Sequence, residues 1–186
     1  KNGKPFKMSK RAGEFISVQD LLNEVHKDPI RFMMLNRSND VELDFDFDKV
    51  KEKTKDNPIF YVQYAFARIN SLLRILNINL NDKIKLNEQN FNLNENEKKI
   101  VRKIFEWPKV IESALKNFEL HKIPFYLYEL STLFHAYWSK GNEDKSFRFI
   151  ENDKIKRIEI LAILNLVSIV IQNGMKILGV SLPKKM

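Results

Sequence analysis

A chain of 186 residues with 44% hydrophobic side chains can bury a core of its own, which excludes a disordered tail. Lys and Arg outnumber Asp and Glu by 32 to 24, a formal charge of +8, and that balance favours an anionic partner such as nucleic acid. There is no Cys, which excludes disulfides and thiolate metal sites, and His26, His121 and His135 lie too far apart in sequence to form a local metal motif.

Residues 1 to 16 hold Lys1, Lys4, Lys7, Lys10 and Arg11 before the first acid, Glu14, among Gly3, Pro5 and Gly13. They read as a basic loop. Ser17-Val18-Gln19-Asp20 has capping-box spacing before Leu21, Leu22 and Val25, so a short helix starts there. Asp28-Pro29 repeats the start signal and predicts a second short, buried helix through Leu35. Val41 to Phe47 alternates apolar and acidic residues, the pattern of an extended segment with one buried face, leading into a short helix through Lys53.

Asn57-Pro58 opens the clearest helix. Val62, Ala65, Phe66, Ile69, Leu72, Leu73 and Leu76 recur at steps of three and four and face a core. The Asn-rich stretch from Asn77 to Asn94 reads as a surface loop. Glu95 to Phe118 is helical, with Pro108 kinking it or dividing it in two. Pro124 starts another helix carrying Leu127, Leu130, Phe134 and Trp138, with Gly141 as its expected stop. A last helix is expected from about Asp153 to Leu178, closed by Gly179, with Gly174 allowing close packing. Its longest apolar stretch, Ile160 to Ile171, is too short to span a bilayer and contains Asn165 and Ser168. The sum is a mainly α protein without internal repeats: a helical bundle over 57–186, preceded by a short mixed segment over 1–56. With no signal peptide and Lys1 in place of Met, the chain reads as a fragment of a longer cytoplasmic protein.

Two groups of residues carry chemistry. Lys7-Met8-Ser9-Lys10-Arg11 sets two ammonium groups three residues apart on a Gly/Pro-flanked loop, where both could close on a polyphosphate. A solvated basic loop explains the same spacing. On the helix from Pro58, Tyr61, Tyr64 and Arg68 share one face at offsets of three and seven. Rings beside a guanidinium make a surface for unstacked RNA bases; core packing with satisfied hydroxyls is the competing reading. His135 beside Phe134 reads as a hydrogen-bonded structural residue, and Asp28 and Arg31 as capping and packing residues. Lys154, Lys156 and Arg157 suit either phosphate contact or a solvated helix start.

The run from Lys7 to Phe15 resembles the KMSK signature of class I aminoacyl-tRNA synthetases, and Asp28-Pro29-Ile30-Arg31-Phe32 resembles the D-x-x-R-F element that follows it. Leu43-Asp44-Phe45-Asp46 and the run from Asp56 to Arg68 are similar to arginyl-tRNA synthetases in particular, as are Phe134 to Gly141, Asn173 to Val180 and Pro183 to Met186. Phe66 departs from the family, standing where His is usual in the Tyr-Ala-His-Ala-Arg run. The resemblance implies that 1–56 ends a Rossmann-type catalytic domain and 57–186 is a tRNA anticodon-binding domain. It implies arginine–tRNA ligase activity for the whole protein, with ATP as substrate alongside Mg2+, arginine, and tRNA for arginine as partner. Lys7 and Lys10 would be the catalytic pair of an ATP-binding loop Lys7, Met8, Ser9 and Lys10. Tyr61, Tyr64 and Arg68 would lie beside the anticodon loop, with Tyr137 and Met186 framing its bases. The HIGH motif of the family is not in this sequence, so the chain alone is expected to be inactive and to bind no cofactor by itself. It is expected to be a cytoplasmic monomer with no membrane partner. Another class I synthetase shares the loop but not the Asn-Pro to Ala-Arg run. A non-catalytic helical module or a general single-stranded RNA binder would show no anticodon preference.

Overall fold

The computed structural model describes residues 16–42, 45–79, 84 and 92–186. The basic loop with Lys7, Met8, Ser9 and Lys10 lies outside the described residues, as do Leu43, Asp44 and most of the Asn-rich stretch.

Helices α1 (Val18–Glu24) and α2 (Lys27–Leu35) come first. Ser17 and Asp20 form the reciprocal capping box that their spacing predicts. Helix α2 begins at Lys27, two residues before Pro29, because a first-turn residue needs no N–H and proline fits there. No strand forms in the described part of 41–47. The Asp46 carboxylate instead accepts the Asp48 and Lys49 N–H groups and starts a 3-10 turn over Lys49–Lys51. Phe45 and Phe47 still meet edge to face at 5.3 Å, in a small core with Val25, Ile30 and Val50.

Asn57 joins this segment to the bundle. Its buried amide donates to the Val50 and Glu52 carbonyls at 2.9 and 2.8 Å, and its oxygen caps α3 (Pro58–Ile75). The core face of α3 is as the periodicity requires: Val62, Ala65 and Ile69 are fully buried, and Leu76 packs at the edge. Phe66 is buried in that core too, so the position that carries His in the resembled family is apolar packing here.

Glu95–Phe105 (α4) and Trp107–Asn117 (α5) are two helices divided at Pro108. Leu115 and Phe118 stay on the surface. Helix α6 (Lys122–Glu143) is the centre of the bundle and packs against α3, α4, α5 and α7. It does not stop at Gly141, which is helical; the helix continues to an Asp144 cap. Gly141 is there for space. A Cβ would meet the Arg148 backbone at 3.3 Å, where a 3-10 turn over Lys145–Phe147 brings the chain back.

The expected early start of the last helix is also corrected. Ile150–Glu151 (β1) and Lys154–Ile155 (β2) form a two-stranded antiparallel hairpin, and Asn152 and Asp153 take positive φ of 49° and 57° between them. That is the geometry of a tight hairpin turn, which Asn and Asp tolerate, so Asp153 cannot be helical and α7 runs over Ile158–Leu178. Helix α7 has the length and apolarity to cross a membrane, but Leu161, Leu164, Val167, Ile171 and Met175 are sunk in the bundle core. Gly179 ends it at φ 66°, with Val180 donating back to Met175 in a Schellman closure.

Gly174 lies against fully buried Leu127: an added Cβ would stand 2.7 Å from Leu127 Cδ2. Gly174→Val should therefore destabilise the fold by about 2 kcal/mol through overpacking, read as a lower denaturant midpoint at unchanged slope.

Asp28 and Arg31 do cap a helix, though it is α7. Arg31 Nε donates to the Leu178 carbonyl, and Asp28 accepts the Ser181 N–H at 3.1 Å and its hydroxyl. With Gln63 donating to the Ser181 carbonyl at 2.9 Å, the C-terminal tail is pinned between α2 and α3.

Candidate nucleic-acid interface

Tyr61, Tyr64 and Arg68 share a half-buried face of α3, as their spacing requires. Helix α6 supplies the other wall. The His135 ring lies 4.3 Å from Tyr61 and 5.5 Å from Tyr64, centroid to centroid. Tyr128 flanks Tyr61 at 5.4 Å, and Phe60 stacks on Tyr64 at 5.5 Å. The result is a continuous shelf of rings bridging two helices.

His135 sets the polar order of that shelf. Its Nε2 is 3.1 Å from the Tyr61 carbonyl, which can only accept, so Nε2 carries the proton. Nδ1 then accepts from Arg68 Nη1 at 3.3 Å. Burial, with Arg68 beside it, pushes the imidazole down to about 4, so the neutral tautomer persists at physiological pH. Arg68 also donates to the Tyr64 hydroxyl at 2.8 Å, and its guanidinium carbon lies 4.2 Å from the Tyr64 ring centroid and 5.2 Å from that of Trp138. Among the described residues no carboxylate pairs with it, and two of its five N–H groups are engaged. The guanidinium is thus held rigidly with donors to spare. Burial raises the Tyr61 phenol, keeping it a neutral donor.

The remaining sequence-derived residues sit elsewhere. Tyr137 is 4% exposed and points into the α4–α6–α7 junction. Its hydroxyl donates to Glu97 Oε1 at 2.7 Å and accepts from Asn94 at 3.0 Å, and burial with the Glu97 contact pushes the phenol up to about 12. Met186 is exposed at the end of the pinned tail. Lys156 donates to the Lys145 and Ser146 carbonyls, and Arg157 pairs with Glu97, so both are partly committed inside the protein; Lys154 is exposed. Tyr128 carries no sequence signal beyond its aromatic character, and the sequence marks Trp138 only as part of the apolar stripe and the Phe134 to Gly141 run. Glu97 had one: Asn94-x-x-Glu97 is a capping box.

The chain matches the DALR anticodon binding domain over residues 62–186. Over its whole length it is 55% identical to the arginine–tRNA ligase of Pelagibacter ubique and, across 192 aligned positions, 45% identical to that of Brucella canis. It spans about a third of those relatives, 32% and 33% of their lengths. Among solved structures, an arginyl-tRNA synthetase from Campylobacter jejuni superposes on all of this chain and 38% of its own, with a TM-score of 0.81 at 26% identity.

Proposed function

The chain belongs to the DALR anticodon-binding domain family, and on that footing we propose that it binds the anticodon loop of tRNA for arginine through the ring shelf of α3 and α6. The observation that carries this reading is Arg68: a guanidinium fixed by Tyr64 and His135, without a carboxylate partner among the described residues, amid rings on which bases can stack. In this reading Tyr61 and Tyr64 are stacking platforms, and Arg68 holds a phosphate or base edge. Met186 closes the site from the pinned tail. Tyr137 acts from behind, through the Glu97 network that fixes α4 on α6.

The proposal extends to the whole protein. Residues 1–56 belong to the catalytic side and 57–186 to the anticodon side. Lys7 and Lys10, in the ATP-binding loop with Met8 and Ser9, stabilise the charge that develops as arginine and ATP, with Mg2+, form arginyl-adenylate. The sequence has no HIGH motif, so this chain by itself does not support ATP–pyrophosphate exchange. The protein works as a monomer in the cytoplasm.

The test is equilibrium binding of the chain to an arginine tRNA transcript and to the same transcript with its central anticodon base replaced, at two salt concentrations. Arg68→Ala should weaken binding of the first by about tenfold or more and erase the difference between the two. Equal binding of both transcripts by the parent chain, with a steep salt dependence, would leave only nonspecific attraction to the +8 charge.

A further inference from the structure

The stripe on α3 does not end at Arg68. Tyr61, Tyr64, Arg68, Ser71 and Ile75 follow one another at steps of three, four, three and four, so they line one face of the helix. Beyond Arg68 that face borders a cavity of about 330 Å3, lined by Ser71, Ile75, Trp138, Phe147, Arg148 and Phe149. We propose that this cavity takes a second unstacked base of the same RNA, one step along the strand from the base held at Tyr61, Tyr64 and Arg68.

Three features carry the proposal, which rests on the anticodon-loop reading above. The first is continuity: the Arg68 guanidinium stands between the Tyr64 ring and the Trp138 ring, at 4.2 and 5.2 Å, so a backbone phosphate over Arg68 would send one base to each side. The second is shape and chemistry. The volume is at the small end of ligand sites, room for a single base, and one wall is Trp138, braced edge to face by buried Phe149 at 5.5 Å. A fixed indole is a stacking surface for any base. The third is charge. Arg74 donates to the hydroxyl of the lining residue Ser71 at 2.8 Å, and Arg148, exposed and part of the lining, is anchored by Nε on the Gly141 carbonyl at 3.1 Å. Among the described residues, neither forms an ion pair.

Ser71→Phe fills the cavity from the rim and keeps Arg68 in the sequence. With an arginine anticodon stem-loop transcript as probe, it should weaken binding by about tenfold. Replacing one particular loop nucleotide by an abasic one should remove that penalty while the Arg68→Ala penalty persists. Since Trp107 and Trp138 are the two tryptophans, a Trp107→Phe background reports Trp138 alone. Its emission should change on RNA binding, and the same abasic position should abolish the change, a readout independent of how Ser71→Phe folds. If Arg68→Ala weakens binding while Ser71→Phe does not and no abasic position affects Trp138 emission, the second-base site is overturned and the anticodon reading stands. If neither variant alters binding, both fall.

Discussion

Arg157→Ala should destabilise the fold by about 3 kcal/mol, the low end of what breaking a buried ion pair costs. Glu97 is fully buried on α4, and the Arg157 guanidinium, just before α7, is its cation. The carboxylate also accepts the Tyr137 hydroxyl at 2.7 Å and the Asn94 N–H at 2.9 Å. Removing Arg157 leaves a desolvated anion with two neutral donors, and it also frees the Asn92 carbonyl, which Arg157 holds at 2.6 Å. The figure stays at the low end because the Arg157 side chain is 36% exposed, and a cavity of about 300 Å3 lined by Asn94, Tyr137 and Arg157 admits water to the rehydrating site. Arg157→Lys should recover part of the loss, since an ammonium restores the charge but not the guanidinium fork. Denaturant unfolding of the three proteins checks the order. A midpoint for Arg157→Ala equal to the parent's would mean that the pair contributes nothing.

Only the Asn94–Glu97 part of this network has a local cause, the capping box; the Tyr137 and Arg157 contacts depend on how distant helices pack. Elements with strong local rules were legible: the Ser17 box, the Asn57-Pro58 start, the division at Pro108 and the Gly179 stop each have a cause within a few residues. The local pattern misleads where a distant segment decides. Gly141 carries the mark of a helix end, yet it is small because Arg148 folds back on it. In the described part of 41–47, Phe45 and Phe47 do face a small core, but Asp46 turns the chain there through the Asp48 and Lys49 N–H groups. Tyr61, Tyr64 and Arg68 could be placed on one face from spacing alone. That Arg68 would be fixed by His135, 67 residues away, could not, since it depends on how α6 lies across α3.

His135 also gives the protein a specific acid sensitivity. In the fold its imidazole is held down to about 4 by burial, then by Arg68, against about 6.5 in an unfolded chain. The group is neutral in both states above the unfolded value. As pH falls from about 6.5 towards 4, the unfolded chain takes up a proton that the folded one refuses, so stability declines through that window and levels off below it. A gap of this size corresponds to about 3 kcal/mol in total. Arg68, Tyr61, Tyr64 and Tyr128 are the titratable or charged groups on and around the shelf. Any acid dependence from groups that the two proteins share cancels in the difference between parent and His135→Gln. That difference, from denaturation curves taken across the window, should lose its slope above the unfolded value and steepen below it. RNA binding by the folded parent should hold through that window and fall only as pH drops through about 4, where the folded imidazole itself takes up the proton. Once Nδ1 is protonated it can no longer accept from Arg68, and the guanidinium that the anticodon surface depends on is released. A pH-independent difference would place the imidazole's proton affinity near its ordinary value, and with it remove His135 as the residue that holds Arg68 in place.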